Sequence, residues 1–269
     1  MKNEFGILMT INSTGTLRWL NIVAFALMVM VNGLAGSTTF LGGKNTADIS
    51  DANPTLVTPA GYVFAIWGII YVLLGIFVIY QAFYRGQERS FQNQIGWLFV
   101  GSSALNIMWL FAWQYEYLSL SVIIMILLLA TLILIYIRLD IGRAKVERST
   151  RLAVHLPFSV YLGWITIATI GNISAMLVSL KWDGFGISPE TWAVVIILIA
   201  VIIAIMVSVM RRDVAYALVV IWAFVGIYVS QSSNQTIATL LLAGAAVVAI
   251  ALLVSLFGAR IRSKWASDG

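Results

Sequence analysis

Eight long apolar stretches dominate this chain, and almost none carries an ionisable residue in its interior. They are Leu17–Gly36, Pro59–Phe83, Ile95–Gln114, Leu118–Ile137, Leu152–Val178, Glu190–Met210, Val214–Ser230 and Ile237–Phe257. A helix of about 20 residues spans the hydrocarbon core of a bilayer. Charge is costly there, and only helices and closed barrels satisfy their backbone polar groups internally. Hydrophobic residues make up 61% of the chain and charged ones 10%, with a mean hydropathy of +0.97. The sequence therefore predicts an all-α, polytopic membrane helix bundle of about eight transmembrane helices.

The basic residues alternate between connections. Of 16 Lys and Arg, all but Lys44 and Lys181 fall on the side of the two termini, among them Arg85, Arg89, Arg138, Arg143, Lys145, Arg148, Arg151, Arg211 and Arg212. The positive-inside rule then puts both termini in the cytoplasm, in what is expected to be a bacterial cytoplasmic membrane. The net charge of +5 follows from this topology and from contact with anionic head groups, so no nucleic-acid partner is implied. A cleaved signal peptide is the rival reading of residues 1–36, and removal would leave seven spans with the same alternation. Retention is favoured because the later spans already direct insertion. No cysteine occurs, which excludes disulfides and thiolate metal sites.

Thr58-Pro59 reads as the capped start of the second span, and Ser188-Pro189-Glu190 as that of the sixth. Residues 37–58 form the longest outer loop. Pro157 falls inside the fifth span and predicts a kink near its inner end. No internal repeat is evident, which argues against an inverted-repeat transporter. The working division is a chemically featured five-span core, 17–178, followed by a plainer three-span extension, 189–258.

Three patches concentrate aromatic and amide side chains. In the second span Phe64, Trp67 and Tyr71 share a face at about 100° per residue. In the third, Asn106, Trp109 and Trp113 do so. In the fifth, Tyr161, Trp164, Ala168 and Asn172 form one stripe. Flat aromatic walls with a few amides suit a large planar apolar ligand better than a hydrated ion. The plainer readings are that tryptophans at span ends (Trp19, Trp97, Trp182, Trp192 and Trp265) anchor at the interface, and that Asn106 and Asn172 bond neighbouring helices. Gly101-Ser102-Ser103-Ala104 offers a small-residue face for a homodimer or for packing within the bundle. Two stretches matching the permissive sterol-contact pattern, Leu134 to Arg138 and Val78 to Arg85, read as ordinary span ends.

At these patches the chain resembles the TspO/MBR family, the tryptophan-rich sensory proteins that include the mitochondrial translocator protein (peripheral-type benzodiazepine receptor). The resemblance covers residues 17–178. Thr58, Pro59, Gly61, Val63 and Phe64 match a second-span pattern of the form WTPPGWVFGPVW. Ala104, Leu105, Asn106 and Trp109 meet the third-span ALNxxW. Tyr161, Leu162, Trp164, Ala168, Thr169 and Asn172 meet the fifth-span YLxWxxxATxxN. The resemblance implies a five-helix bundle whose pocket takes tetrapyrroles, sterols or similar apolar ligands. It further implies that Trp67, Tyr71, Asn106, Trp109, Trp164, Ala168 and Asn172 face that pocket. Tyr62 and Val57 replace family tryptophans, and Ala65-Ile66 stands where the family has three residues. One missing residue rotates everything beyond it by about 100°, which bears directly on Trp67 and Tyr71.

The leading expectation is an integral-membrane receptor or carrier for a flat apolar ligand, porphyrin/tetrapyrrole or sterol-like, with a sensory or regulatory role. No cofactor is required, no metal is called for, and the expected partners are the lipid bilayer and a hydrophobic small molecule. The alternative is a secondary transporter of a small organic solute, for which the sequence offers no evident buried Asp, Glu or Lys. His155, the one histidine, reads as an interfacial residue rather than a proton relay. An enzymatic role, oxidative breakdown of bound porphyrin in light, would have to arise beside Trp67 or Trp164. No nucleophile–base pair or phosphate-binding glycine loop supports it.

Overall fold

A computed structural model describes residues 2–37, 41–84 and 90–267, with side chains described from 15 to 257 within the same limits except those of Ser37 and Ser90. Among the described residues the chain is helical throughout: α1 (Lys2–Ser37), α2 (Thr46–Ala52), α3 (Ile66–Phe83), α4 (Ser90–Ile95), α5 (Leu98–Gln114), α6 (Leu118–Arg138), α7 (Arg148–Thr150), α8 (Leu156–Ser179), α9 (Pro189–Arg211), α10 (Val214–Ser230) and α11 (Gln235–Ser267). A 3-10 turn, Gly61–Ala65, leads into α3, and a π turn, Arg151–His155, leads into α8. Six segments are long and apolar enough to cross a membrane, and α5 and α10 are shorter apolar helices. Outward-facing Val72, Ile79, Ile123, Ile202, Ile250 and Val254 are exposed. Large apolar side chains turned outward along successive helices are what a lipid-facing surface requires. The chain is a multi-pass membrane helix bundle, as its sequence predicts.

The helix ends have identifiable causes. Ser188 accepts from Thr191 N at 3.2 Å, with Pro189 in the first turn of α9, as expected. Thr58 behaves differently from the expectation. Its hydroxyl accepts from Thr55 N at 2.9 Å and so closes a turn in the preceding loop, while the 3-10 turn begins at Gly61 without a side-chain cap. The kink expected at Pro157 is present as the π turn just before it. Proline cannot donate to Ala153 O, and its ring crowds that carbonyl, so the preceding backbone widens by one residue.

The residues divide into two compact units that interleave along the chain, with boundaries inside α3 (between Ile66 and Trp67) and α8 (between Phe158 and Ser159). The first comprises residues 1–49, 67–140 and 145–158. Here α5 packs on α1 and α6, around a cluster of Phe77, Phe99 and Phe158 with ring centroids 5.0–6.1 Å apart. Polar side chains join α1 to α3 and α4. Asn21 Nδ2 donates to Gln81 Oε1 at 2.9 Å, Gln92 Nε2 to Gln81 O at 3.1 Å, and Arg18 Nη2 to Tyr84 O at 3.2 Å. The outer loop is tied down as well. Gly42 has φ +71°, and a Cβ there would lie 2.2 Å from Gln114 O, so only glycine fits this approach.

The second unit comprises residues 50–66, 141–144 and 159–269. In it α9, α10 and α11 pack together through small buried side chains such as Ala204, Ala217 and Ala223. Asp213 caps α10, accepting from Tyr216 N at 3.1 Å and from Ser159 Oγ at 2.6 Å. The 3-10 turn rests on α10 at Gly226, whose carbonyl accepts from Ala60 N at 3.1 Å. A Cβ at Gly226 would lie 2.1 Å from Val63 Cγ2. We therefore expect Gly226→Ala to destabilise the protein by about 1–3 kcal/mol, the cost of overpacking, and Val63→Ala in the same chain to recover part of the loss. Thermal unfolding in detergent checks this. Equal melting temperatures for wild type and Gly226→Ala would rule out the close contact.

Candidate functional site

Four aromatic rings from α3 and α5 form a continuous ladder in the first unit. Trp67 stacks on Tyr71, with centroids 5.7 Å apart and planes at 19°, and on Trp109 at 5.7 Å and 27°. Trp109 in turn stacks on Trp113 at 5.9 Å and 24°. The i, i+4 spacing within each helix sets successive rings one above another, and the parallel planes follow from neighbours on one face. Trp109 and Trp113 are buried, while Trp67 and Tyr71 are half-buried and keep some ring surface accessible. At the far end Trp113 Nε1 donates to Thr46 O at 3.1 Å, and Lys44 Nζ pairs with Glu116 Oε1 at 2.6 Å, so the outer loop closes over the end of the ladder. The exposed ion pair adds little stability. The indole bond places the loop.

Asn106, one turn before Trp109, is fully buried and accepts from Asn32 Nδ2 at 2.7 Å. Asn32 Nδ2 also reaches Met28 O at 2.9 Å. The plainer reading of Asn106, a bond to a neighbouring helix, is thus realised between α1 and α5. The small-residue run nearby turns inward at Ser102 and Ser103, both buried and both bonded to Phe99 O.

The fifth-span candidates belong to the second unit. Tyr161, Trp164 and Asn172 are buried and Ala168 is half-buried on α8. Phe64 meets Trp164 edge to face, with centroids 6.0 Å apart and planes at 84°. Tyr62 meets Trp222 in the same manner at 5.5 Å, and Trp222 Nε1 donates to Val63 O at 3.3 Å. The candidates are therefore grouped as Trp67, Tyr71, Asn106 and Trp109 in one unit and Trp164, Ala168 and Asn172 in the other.

Trp19 and Trp97 are exposed. Trp182 and Trp192, half-buried, contact each other at 5.2 Å, and Trp192 Nε1 donates to Gly184 O at 3.0 Å. The side chain of Trp265 lies outside the described ones. His155 is buried. A buried carboxylate does exist, at Asp213, but it is committed to the α10 cap and Ser159. The Tyr80 hydroxyl meets Thr150 Oγ1 at 3.0 Å. Among the described residues no cluster of three or more His, Asp or Glu could hold a metal ion.

The family model for TSPO-like protein matches residues 18–254. This chain belongs to the TSPO-like family. The match runs past the three motif patches and through most of the last three spans. No curated protein and no solved structure matches the chain. Membership of this family, together with the membrane-spanning helices, points to a receptor or carrier kind of role in the bilayer.

The Asn32–Asn106 bond is directly measurable. In a double-mutant cycle with Asn32→Leu and Asn106→Leu, we expect a coupling energy of about 0.6–2 kcal/mol, the range for polar bonds between membrane helices. Additive losses would dissolve the pair. The ladder has its own signature: stacked indoles couple excitonically, so Trp109→Leu should remove a near-ultraviolet circular-dichroism couplet that Trp19→Leu leaves in place.

Proposed function

We propose that this membrane protein is a receptor or carrier for a flat, mostly apolar ligand of tetrapyrrole or sterol-like shape, with a sensory or regulatory role. The observation that carries the reading is the Tyr71–Trp67–Trp109–Trp113 ladder. Parallel aromatic planes with half-buried edges offer a fused-ring ligand the offset stacking that large π-systems prefer. A hydrated ion would gain nothing from them. Asn106 beside Trp109 is fully buried and holds Asn32, so its part in this reading is to set the rotation of α5. Trp164, Ala168 and Asn172 are carried as separate candidates of the second unit, each tested by its own substitution. The binding event needs no cofactor, and a tetrapyrrole would be its ligand rather than a resident group.

In this reading both termini lie in the cytoplasm, following the distribution of Lys and Arg. The cysteine-free chain makes this simple to examine. Single cysteines at Ser149 and at Ser188 should react with a membrane-impermeant maleimide from opposite sides of sealed vesicles. Reaction of both from the same side would reverse the assignment.

Titration of the purified full chain with a soluble porphyrin should quench tryptophan emission saturably. Trp67→Ala and Trp109→Ala should each weaken binding about ten-fold, the scale of a lost aromatic pair with its buried surface, whereas Trp19→Ala should bind as wild type. Quenching that never saturates, or that survives both ladder substitutions, would remove the ladder as the ligand surface.

A further inference from the structure

A cavity of about 610 Å³ opens in the second unit, where α8 ends and α9 begins, under the loop segment 54–57. It is within the size range of sites for small organic molecules. Its walls include Val57, Leu177, Ile196, Trp182 and Trp192, and much of it is built from residues beyond 178, where the motif resemblance stops. Two polar groups on its lining decide what it can hold. Ser174 is 8% exposed and lines the cavity; among the described residues its hydroxyl makes no hydrogen bond, and the oxygen is not sealed inside the protein. Its neighbours on α8 behave otherwise: Thr166, Thr169 and Ser179 all turn back onto helix carbonyls at 2.7–2.8 Å. A hydroxyl that opens onto an apolar cavity is free to bond the polar head of an occupant. Gln231, also on the lining, donates its Nε2 to Thr55 O at 3.2 Å, so its remaining capacity is as an acceptor through Oε1.

Charge narrows the choice. No Lys, Arg or His lines the cavity, and its one ionisable residue is Asp183, whose Oδ1 accepts from Phe185 N at 3.0 Å. An anionic head group would meet a carboxylate and no cation, a costly arrangement at a membrane boundary. We propose that this cavity binds an uncharged amphiphile, a long apolar body ending in a hydroxyl or carbonyl head that bonds Ser174 and Gln231. The indoles of Trp182 and Trp192 then act as walls for the apolar body. The site is independent of the aromatic ladder.

The test uses the full chain in phosphatidylcholine nanodiscs with a hexadecanol carrying a mid-chain diazirine. Irradiation should label the 173–196 segment saturably, excess hexadecanol should compete, and palmitate should compete at least about ten-fold less well. Ser174→Ala should weaken labelling about five-fold, the scale of one neutral hydrogen bond. Ala193→Phe should abolish the saturable component by filling the cavity, with Leu177→Trp serving the same purpose if the first variant does not fold. Trp67→Ala should leave labelling unchanged, which separates this site from the porphyrin reading. The proposal is overturned by labelling that rises linearly with the probe and spreads over outward faces such as Ile199 and Ile202, by palmitate competing as well as hexadecanol, or by a folded cavity-filling variant that labels like wild type.

Discussion

In hydrocarbon every backbone polar group must find its partner within the protein, and the rest of this molecule is organised around that requirement. Helices meet it over the spans, so irregular backbone is confined to their ends: the 3-10 turn before α3 and the π turn before α8. Side chains obey the same rule. Thr131, Thr166 and Thr169 bond carbonyls four residues back, and Ser121 bonds one three residues back. Longer amides reach between helices, as Asn21 does to Gln81 and Asn32 to Asn106. Such bonds fix rotation as well as depth, because an amide that misses its partner strands a polar group in a medium that cannot hydrate it.

That rotational control is what makes the aromatic ladder possible. Apolar attraction is a weak organiser among lipid tails, so helix contacts depend on close packing and on a few directional bonds. The Asn32–Asn106 bond lies one turn of α5 from Trp109, and Phe77, Phe99 and Phe158 pack in the same unit. Together they hold α3 and α5 so that Trp67 meets Trp109 with its plane nearly parallel. The second unit uses another arrangement, edge-to-face pairs of Phe64 with Trp164 and Tyr62 with Trp222.

Much of this was legible in the residues. Apolar run lengths fixed the spans, Pro157 marked its π turn, and Ser188-Pro189 marked the start of α9. Periodicity placed Trp67 with Tyr71 and Trp109 with Trp113, since both pairs are four apart on one helix. The meeting of the two pairs was not readable from spacing, because rotation between helices is set by tertiary contacts. Thr58 misled because a hydroxyl before proline suits a helix cap and a loop turn equally well, and the Thr55 backbone was nearer. The contact of Trp182 with Trp192 was not legible, because position along a span reports depth but not the direction a ring points. Ser174 has no sequence signal: a small hydroxyl on α8 reads the same as Thr166 and Thr169, which bond helix carbonyls, and only the cavity beside it sets it apart.

The 3-10 turn at Gly61–Ala65 carries a consequence for comparing chains of this family. A 3-10 segment winds about 120° per residue and an α-helix about 100°. Over five residues the excess is about 100°, the same angle that one absent α-helical residue would subtract. Five residues of 3-10 winding therefore turn the chain about as far as six residues of α-helix would, and Trp67 meets Trp109 beyond them. A gap in an alignment at this point is therefore no sign that the indole beyond it has swung away; chain length and winding can be traded against each other while the ring keeps its heading.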